Sequence, residues 1–236
     1  MAGELSARHA GSSAPDLIAL AVRDLYPGRI AAVSSFGAES AVLLHLIATV
    51  DRSLPVLFVD TDKMFGETLR YRDQLVRRLG LTDVRTLTPD PTRIAGTDPK
   101  GALWLQNPDL CCRIRKVEPL ARGLAGFGAW ISGRKRYQSA TRATLPLFEA
   151  DGERMKVNPL AAWGAEDLAS YAARHDLPEH PLLAQGYPSI GCMPCTDPVG
   201  EGEDARSGRW RGLDKTECGI HLSGRIGNEE REGSGI

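Results

Sequence analysis

Cysteines are the residues of this sequence whose types and spacing most clearly predict chemistry. Of the five, Cys111 and Cys112 are adjacent, Cys192 and Cys195 form a C-x-x-C motif, and Cys218 stands alone. Two distant pairs of thiols are typical of a site for zinc or an iron–sulfur cluster, because thiolates are soft ligands. An odd number of thiols cannot pair completely into disulfides within one chain. We therefore interpret the four paired cysteines as metal ligands and treat Cys218 separately.

The choice between zinc and a cluster depends on the adjacent pair. Closed four-cysteine zinc sites are common, so the ligand set alone favours zinc. Two neighbouring residues reach one small tetrahedral ion with difficulty, whereas a cluster offers separate iron corners. Buried thiols without any metal are the third alternative. The residues by themselves leave these three interpretations open.

Cys218 lies in a polar stretch, residues 215–221, with the sequence Lys-Thr-Glu-Cys-Gly-Ile-His. The simplest alternative is a small buried hydrophobe, but these neighbours are not typical of a core. Nearby cations lower the pKa of a thiol and raise the fraction of thiolate, which a nucleophile requires. We therefore interpret Cys218 as a candidate nucleophile.

Residues 34–40, Ser-Ser-Phe-Gly-Ala-Glu-Ser, form a turn of small residues between an apolar strand and an apolar helix. Backbone N–H groups at the start of a helix, together with serine hydroxyls, can bind an anion. An ordinary helix cap explains the pattern equally well. The turn lacks both G-x-x-x-x-G-K-[ST] and G-x-G-x-x-G, so it indicates neither the common nucleotide-triphosphatase loop nor the dinucleotide loop.

Basic residues form a second candidate set. In a nearly neutral protein a solvated surface is the default interpretation for each of them. Several, however, fall in turns at the predicted ligand edge or flank Cys218, where arginine is suited to a phosphate or sulfate ester. The set comprises Lys116, Arg134, Lys135, Arg136, Arg142, Arg206, Arg209 and Arg211.

The elements that must position these residues alternate along the chain. Apolar patterns predict strands at 30–33, 55–60, 84–87 and 129–133, helices at 15–26, 41–50, 65–79, 112–124 and 165–174, and a hairpin within 146–158. Such alternation predicts an α/β fold, a parallel-type twisted sheet with helices on both faces, followed by a loop-rich C-terminal segment from 178. Right-handed crossovers bring the strand ends to one edge, so 34–40 and 60–62 are expected to share a crevice.

Length and composition limit the possible classes of protein. The chain has 236 residues and no evident linker, which predicts one domain over 1–236, with 1–13 and 228–236 disordered and 200–227 a mobile catalytic tail. A net charge of -1 argues against a nucleic-acid partner. The sequence contains neither a signal-peptide pattern nor an apolar run of bilayer length, which predicts a cytoplasmic protein without a membrane partner.

Taken together, the motifs resemble those of the assimilatory sulfonucleotide reductases, the adenylyl-sulfate (APS) and phosphoadenylyl-sulfate (PAPS) reductases. The resemblance covers about residues 30–225 and implies an adenine-nucleotide α-hydrolase-like fold of the PP-loop type. Paired cysteines imply the cluster-containing APS branch. The motifs that carry the resemblance are 35–40, 59–61 with 65–68, 111–116, 132–139, 192–195 and 217–221.

The resemblance also implies a mechanism. A [4Fe-4S] cluster would be held by Cys111, Cys112, Cys192 and Cys195, which reverses the preference for zinc. Cys218 would attack the sulfate sulfur of APS, expel AMP and carry an S-sulfonate. Thioredoxin or glutaredoxin would then release sulfite, as a step of sulfate assimilation and cysteine biosynthesis.

Roles for further residues follow from the same resemblance. Lys116 is expected to link cluster and substrate, while Arg134, Arg206 and Arg209 hold the phosphosulfate and His221 assists at the catalytic site. The nucleotide is expected to contact Ser34, Ser35, Phe36, Gly37, Ser40, Asp60, Thr61 and Gly133.

Alternatives to APS reduction remain at this level. Asp62 stands where the family often has glycine, and an acid near the nucleotide would disfavour the 3′-phosphate of PAPS. A PAPS or dual-specificity enzyme, a PP-loop sulfur transferase acting on RNA, and a zinc-stabilised binding module are the other hypotheses. A homo-oligomer is compatible with each of them.

Overall fold

A computed structural model describes residues 1–212, 215 and 217–221 of the chain. Its centre is a six-stranded sheet in the order β3-β2-β1-β4-β6-β5. All neighbouring strands are parallel except β5 and β6, which form an antiparallel hairpin. The predicted α/β class with a mostly parallel sheet is confirmed. The strands are β1 (Ile30–Val33), β2 (Val56–Val59), β3 (Val84–Leu87), β4 (Ala129–Ile131), β5 (Phe148–Asp151) and β6 (Arg154–Val157).

Helices connect the strands, and several deviate from regular α-helical geometry. Helix α2 continues as a π-helical turn, Leu20–Leu25, and α7 continues as a second one, Arg113–Val117. After α9 the described part of the chain holds only short 3₁₀ turns and loops, as the sequence predicts. The helices are α1 (Ala2–Arg8), α2 (Ala14–Ala19), α3 (Ser40–Val50), α4 (Gly66–Leu79), α5 (Pro91–Thr97), α6 (Leu103–Gln106), α7 (Pro108–Cys112), α8 (Glu118–Gly123) and α9 (Ala165–Arg174).

Two hydrophobic cores lie on opposite faces of the sheet, because side chains alternate along a strand. Ile30 and Ala32 of β1 pack into the larger core, which includes residues of α2, α3, α4 and α9. Ala31 lies between them in sequence and packs with Trp130 and residues of α8 on the other face. Burial on both faces explains why β1 and β2 are continuously apolar.

The N-terminal end differs from the expectation of disorder over 1–13. Helix α1 packs beside the edge strand β5, where the Ser6 hydroxyl donates to the Phe148 carbonyl at 3.2 Å and accepts from its N–H at 3.0 Å. An edge strand presents unpaired backbone groups, and this serine satisfies two of them. The expected disorder of 228–236 lies outside the described residues, as does part of the tail 200–227.

The order of the strands creates a switch point between β1 and β4. The chain proceeds from β1 to β2 and β3 on one side, whereas β4 pairs with β1 on the other side. Loops leaving the carboxyl ends of such strands diverge and open a crevice for ligands. The crevice lies between residues 34–39 after β1 and 132–135 after β4. Among the described helices, none is long and apolar enough to cross a membrane.

Candidate active site

A cavity of about 230 Å³ occupies the switch point between β1 and β4. The loops that follow these strands form one wall, and the C-terminal segment forms the other. Most of the residues predicted to bind substrate or catalyse the reaction lie in this lining. They are Ser34, Ser35, Gly37, Ser40, Lys116, Gly133, Arg134, Arg206, Arg209, Cys218 and His221.

The loop after β1 is held in a tight turn. The Ser34 hydroxyl accepts from the Phe36 N–H at 3.1 Å, and Phe36 has a left-handed φ of +50°. A non-glycine residue in this conformation is strained, and such strain concentrates at ligand sites. Helix α3 then begins at Ser40, whose N–H donates to the Gly37 carbonyl at 3.0 Å. The N-terminal end of α3 therefore faces the cavity, as an anion site requires.

Three residues predicted to contact the nucleotide lie outside the cavity lining. The Phe36 ring is buried edge-on against Phe58, with 5.4 Å between the ring centroids. The Asp60 carboxylate accepts from the Asp62 N–H at 3.1 Å and so shapes the turn after β2. The Thr61 hydroxyl lies 3.2 Å from the Cys192 sulfur. Thr61 thus belongs to the surroundings of the cysteines.

Three buried polar atoms in the cavity wall have no hydrogen-bond partner among the described residues. They are Nε of Arg134, Nε of Arg209 and Nδ1 of His221. Buried polar groups are normally paired, so unpaired ones around a cavity indicate a ligand with oxygen acceptors. The His221 ring stacks on Trp130 at 6.1 Å between centroids. Burial, then the charges of Arg134 and Arg142, hold the pKa of His221 well below its usual value, so the ring is neutral.

Arg209 is positioned by two glycines and a tryptophan. Its guanidinium lies 4.4 Å above the Trp210 ring, and a Cβ on Gly191 would come within 2.2 Å of Nη2. A Cβ on Gly208 would meet the Asp197 carbonyl oxygen at 2.1 Å. At this close approach the Asp197 N–H donates to the Gly208 carbonyl at 2.8 Å. Only glycine at both positions leaves room for this placement of Arg209.

Cys218 is buried beside two cations. The thiol of Cys112 donates to its sulfur, and this contact is the largest cause that holds the pKa of Cys218 well below the usual value. Burial opposes the shift, while the charges of Lys116 and Arg209 add to it. The two cations favour the thiolate independently of the contact with Cys112.

A second, smaller cavity is lined by all four paired cysteines. Every one of them is a free thiol. Burial and the neighbouring Cys192 raise the pKa of Cys111 to about 11, whereas Cys112 contacts Cys218. The adjacent thiols therefore have different neighbours. Among the described residues, no group of three or more His, Cys, Asp or Glu is arranged to hold a metal ion.

Buried contacts hold the two cysteine segments together. Arg115 pairs with Asp98 at 2.8 Å and donates to the Thr61 carbonyl at 2.9 Å. These bonds fix the π-helical turn that follows Cys112 to the loop after β2 and to the end of α5. Met193 N–H donates to the Lys63 carbonyl at 2.8 Å, which joins the C-x-x-C loop to the same region.

Lys116 and Trp210 line both cavities. Burial alone would lower the pKa of Lys116, but electrostatic interaction with the sulfurs of Cys192, Cys218 and Cys112 raises it above its usual value. The ammonium is therefore charged and interacts with thiols on both sides. The predicted link between the cysteine site and the substrate site has this residue at its centre.

Several cavity residues were absent from the predicted site. Sequence reasoning places Lys135 and Arg142 only in the basic set and gives Trp210 and Glu217 no role in the site. The position of Glu217 directly before Cys218 is the feature of the sequence that could have indicated its place in the site. Its partner Arg142 lies 75 residues away, so no local pattern indicates the pair. The residues missed are Glu39, Lys135, Gln138, Arg142, Trp210 and Glu217.

A mostly parallel six-stranded sheet with a crevice at its switch point defines an α/β fold of the PP-loop type. The fold resembles Candida glabrata FMN adenylyltransferase, with a TM-score of 0.54, 16% identity and coverage of 76% of this chain and 61% of that chain. It is more similar to the crystal structure of phosphoadenylyl-sulfate (PAPS) reductase from Candida auris, a phosphate complex. That comparison gives a TM-score of 0.71 at 25% identity and covers 84% of this chain and 95% of the other.

Sequence comparison defines the family. The phosphoadenosine phosphosulfate reductase domain family matches residues 29–198, and the chain belongs to this family. A Mesorhizobium japonicum protein named adenosine 5'-phosphosulfate reductase is 59% identical over 209 residues, which cover 89% of this chain and 82% of that protein. A Chelativorans protein of the same name is 55% identical over 222 residues, covering 94% and 91%. The resemblance noted from the motifs is confirmed.

Proposed function

We propose that this protein reduces adenylyl sulfate to sulfite and AMP through an S-sulfonate on Cys218. The observation that carries the proposal is a buried thiol next to Lys116 and Arg209, in the same cavity as the loop after β1. The names of the relatives at 59% and 55% identity support APS as the substrate, in preference to PAPS.

The cavity offers complementary groups for a sulfonucleotide. The start of α3 and the serines of the loop after β1 suit the nucleotide phosphate, because N–H groups there attract anions. Arg134, Arg206 and Arg209 suit the phosphosulfate, since guanidinium groups bind such oxyanions through paired hydrogen bonds. The unpaired Nε atoms of Arg134 and Arg209 would gain their missing acceptors on binding.

The chemical step is an attack by the Cys218 thiolate on the sulfate sulfur. An S–S bond forms, the sulfur–oxygen bond to the phosphate breaks, and AMP leaves with the bonding electron pair. A thiolate and a sulfate repel each other, so the main task of the site is to offset charge and align the two groups. Lys116 and Arg209 are near the thiolate and can do both.

A protein dithiol completes the reaction. We propose that one thiolate of thioredoxin or glutaredoxin attacks the Cys218 sulfur and releases sulfite, and that its second thiol resolves the mixed disulfide. The dithiol supplies both electrons, and Cys218 returns to the thiol form. Because Cys218 is buried, this step requires the C-terminal segment to move away from the cavity. A cytoplasmic location follows from the same proposal, since thiols remain reduced there.

We further propose that Cys111, Cys112, Cys192 and Cys195 hold a [4Fe-4S] cluster. Four free thiols around one cavity fit a group with separate iron corners, and the different neighbours of Cys111 and Cys112 support this over a single zinc ion. When bound, the cluster would supply charge and rigidity beside Lys116. A colourless protein that contains zinc would contradict this part of the proposal.

The decisive experiment is incubation with APS in the absence of reductant, followed by intact mass spectrometry. We expect one sulfonate adduct on the wild type, its removal by reduced thioredoxin, and no adduct on Cys218→Ser. Parallel incubations with PAPS and with ATP test the choice of substrate. An adduct that persists in Cys218→Ser would locate the nucleophile elsewhere, and the absence of any adduct would contradict the reaction class.

A further inference from the structure

A buried ion pair lies directly beside the proposed nucleophile. Nε of Arg142 lies 2.7 Å from Oε1 of Glu217, and Nη2 lies 2.8 Å from Oε2. Both side chains are almost fully buried, with 9% and 11% exposed. Two parallel bonds between a guanidinium and a carboxylate fix orientation as well as distance. Glu217 immediately precedes Cys218, so the orientation of this carboxylate constrains the thiol.

The pair continues into a chain of hydrogen bonds across the cavity wall. Nη1 of Arg142 donates to Oε1 of Gln138 at 2.5 Å, and Nε2 of Gln138 donates to Oε2 of Glu39 at 2.7 Å. Lys135 lies 2.5 Å from the same Glu39 oxygen. The chain therefore runs from the loop after β1, through the basic loop after β4, to the residue before Cys218. All five side chains line the cavity.

We propose that Arg142 is a positioning residue that holds Cys218 over the substrate by way of Glu217. The proposal rests on the proposed function, because it takes Cys218 as the nucleophile. The arginine is itself held firmly, since it ends a 3₁₀ turn, Ala140–Arg142, whose backbone bonds to Ser139 at 3.0 Å. Through Gln138 and Glu39, its guanidinium links the loop after β1, which is proposed to bind the nucleotide, with the segment that carries the thiol. Binding at one end can thereby favour the closed position of the other.

Geometry distinguishes this role from simple charge balance. A lysine at position 142 would keep the charge but could not bond to both Glu217 oxygens and to Gln138 in fixed directions. A displacement of the reacting thiol by roughly 1 Å lowers a rate by about 10²-fold. We therefore expect Arg142→Lys to retain substrate binding and lose most of the rate.

The test combines kinetics with the accessibility of Cys218. In Arg142→Gln and Glu217→Gln, kcat for APS should fall about 10²-fold while KM changes much less, and the double variant should be no slower than either single one. The rate of Cys218 alkylation by iodoacetamide, followed by peptide mass mapping, should rise in the same variants. Arg142→Lys keeps the buried positive charge and removes only the directed pair of hydrogen bonds to Glu217, so it tests the geometry of the pair with a smaller risk to folding.

Arg211→Gln is the matched control, because Arg211 forms an exposed pair with Glu203 at 2.9 Å in the same segment. Its kinetics and alkylation should equal those of the wild type. Additive losses in the double variant, or a rise in KM with unchanged kcat, would overturn the positioning role. The alkylation measurement requires no turnover, so it decides the role of Arg142 even if the wild type fails to reduce APS.

Discussion

Gly208→Ala is the most informative single substitution outside the charged residues of the cavity. The added Cβ would lie 2.1 Å from the Asp197 carbonyl oxygen and 3.1 Å from its carbon, where ordinary contacts begin near 3.4 Å. Both atoms belong to the backbone, so a side-chain rotation cannot relieve the clash. The two segments must separate by roughly 1 Å, and Arg209 must move with them.

The expected size of the effect follows from the contacts that would be stretched. Asp197 N–H bonds to the Gly208 carbonyl at 2.8 Å, and Trp210 N–H bonds to the Cys195 carbonyl at 3.2 Å. Weakening both costs about 1–3 kcal/mol of folding free energy. Under the proposed role of Arg209 in holding the sulfate, its displacement by roughly 1 Å should lower kcat/KM by about 10²-fold.

The assay is kcat/KM for APS together with urea unfolding and iron content per chain. Gly200→Ala is the control, because its Cβ would come no closer than 3.6 Å to the flexible Glu203 side chain. Its values should match those of the wild type. If Gly208→Ala kept wild-type kcat/KM and stability, the close approach would not position Arg209, and that part of the reasoning would be refuted.

Three further predictions concern buried ionisable side chains. Burial lowers the pKa of His180 to about 4, so the unfolded chain, with a pKa near 6.5, gains a proton first as the pH falls. His180 should therefore contribute about 2 kcal/mol to the fall in unfolding free energy between pH 8 and pH 5, in addition to the contribution of His221, and His180→Asn should remove that share in urea titrations at the two pH values. Arg115→Met leaves Asp98 buried without its partner, so the free energy of unfolding in urea should fall by about 3–5 kcal/mol and the iron content should fall as well. Arg113 is exposed, and Arg113→Met should lower the free energy of unfolding by under about 1 kcal/mol. Lys156→Met removes a fully buried ammonium placed 3.7 Å from carboxylates of both Glu149 and Asp151, and should lower thermal and urea stability by about 3 kcal/mol.

Each of these three results has a contradicting outcome. A pH dependence of stability that persists unchanged in His180→Asn would assign the titration to another group. Equal losses of unfolding free energy in the Arg113 and Arg115 variants would show that burial of the arginine does not determine the size of the loss. Wild-type stability in Lys156→Met would mean that the neighbouring acids are already satisfied by Arg134 and Trp130.

Local patterns in the sequence predict most of the fold. Apolar runs such as 30–33 identify strands, since burial on both faces requires continuous hydrophobicity, and Gly80 ends α4 in a left-handed conformation. The helix predicted at 112–124 is present, but its pattern of apolar residues does not predict the π-helical turn Arg113–Val117; the local signal is Pro119, which lacks the N–H of a regular helix directly after that turn. The same reasoning fails at α1, whose order depends on contacts with the distant strand β5.

The site was predictable where chemistry requires particular residue types. Cysteines, and arginines beside them, indicate metal and oxyanion chemistry from their side chains alone. Phe36 shows the limit of a motif: it lies within the loop after β1, yet its ring belongs to the core. Contacts between distant segments, such as Arg142 with Glu217, form only in the folded chain. No local pattern in a single sequence identifies the two partners.

The π-helical turn Arg113–Val117 has an evolutionary consequence. Such a turn holds one more residue than the α-helical turn it replaces, so it is equivalent to a single-residue insertion between the paired cysteines and the core of α8. Deleting one residue there would restore a regular helix and leave Cys111 and Cys112 at nearly the same angle around the helix axis relative to Leu120, because the wider turn already absorbs the extra residue. Descent along this lineage can therefore gain or lose this one residue while the core side chains of α8 and the paired thiols keep their phase.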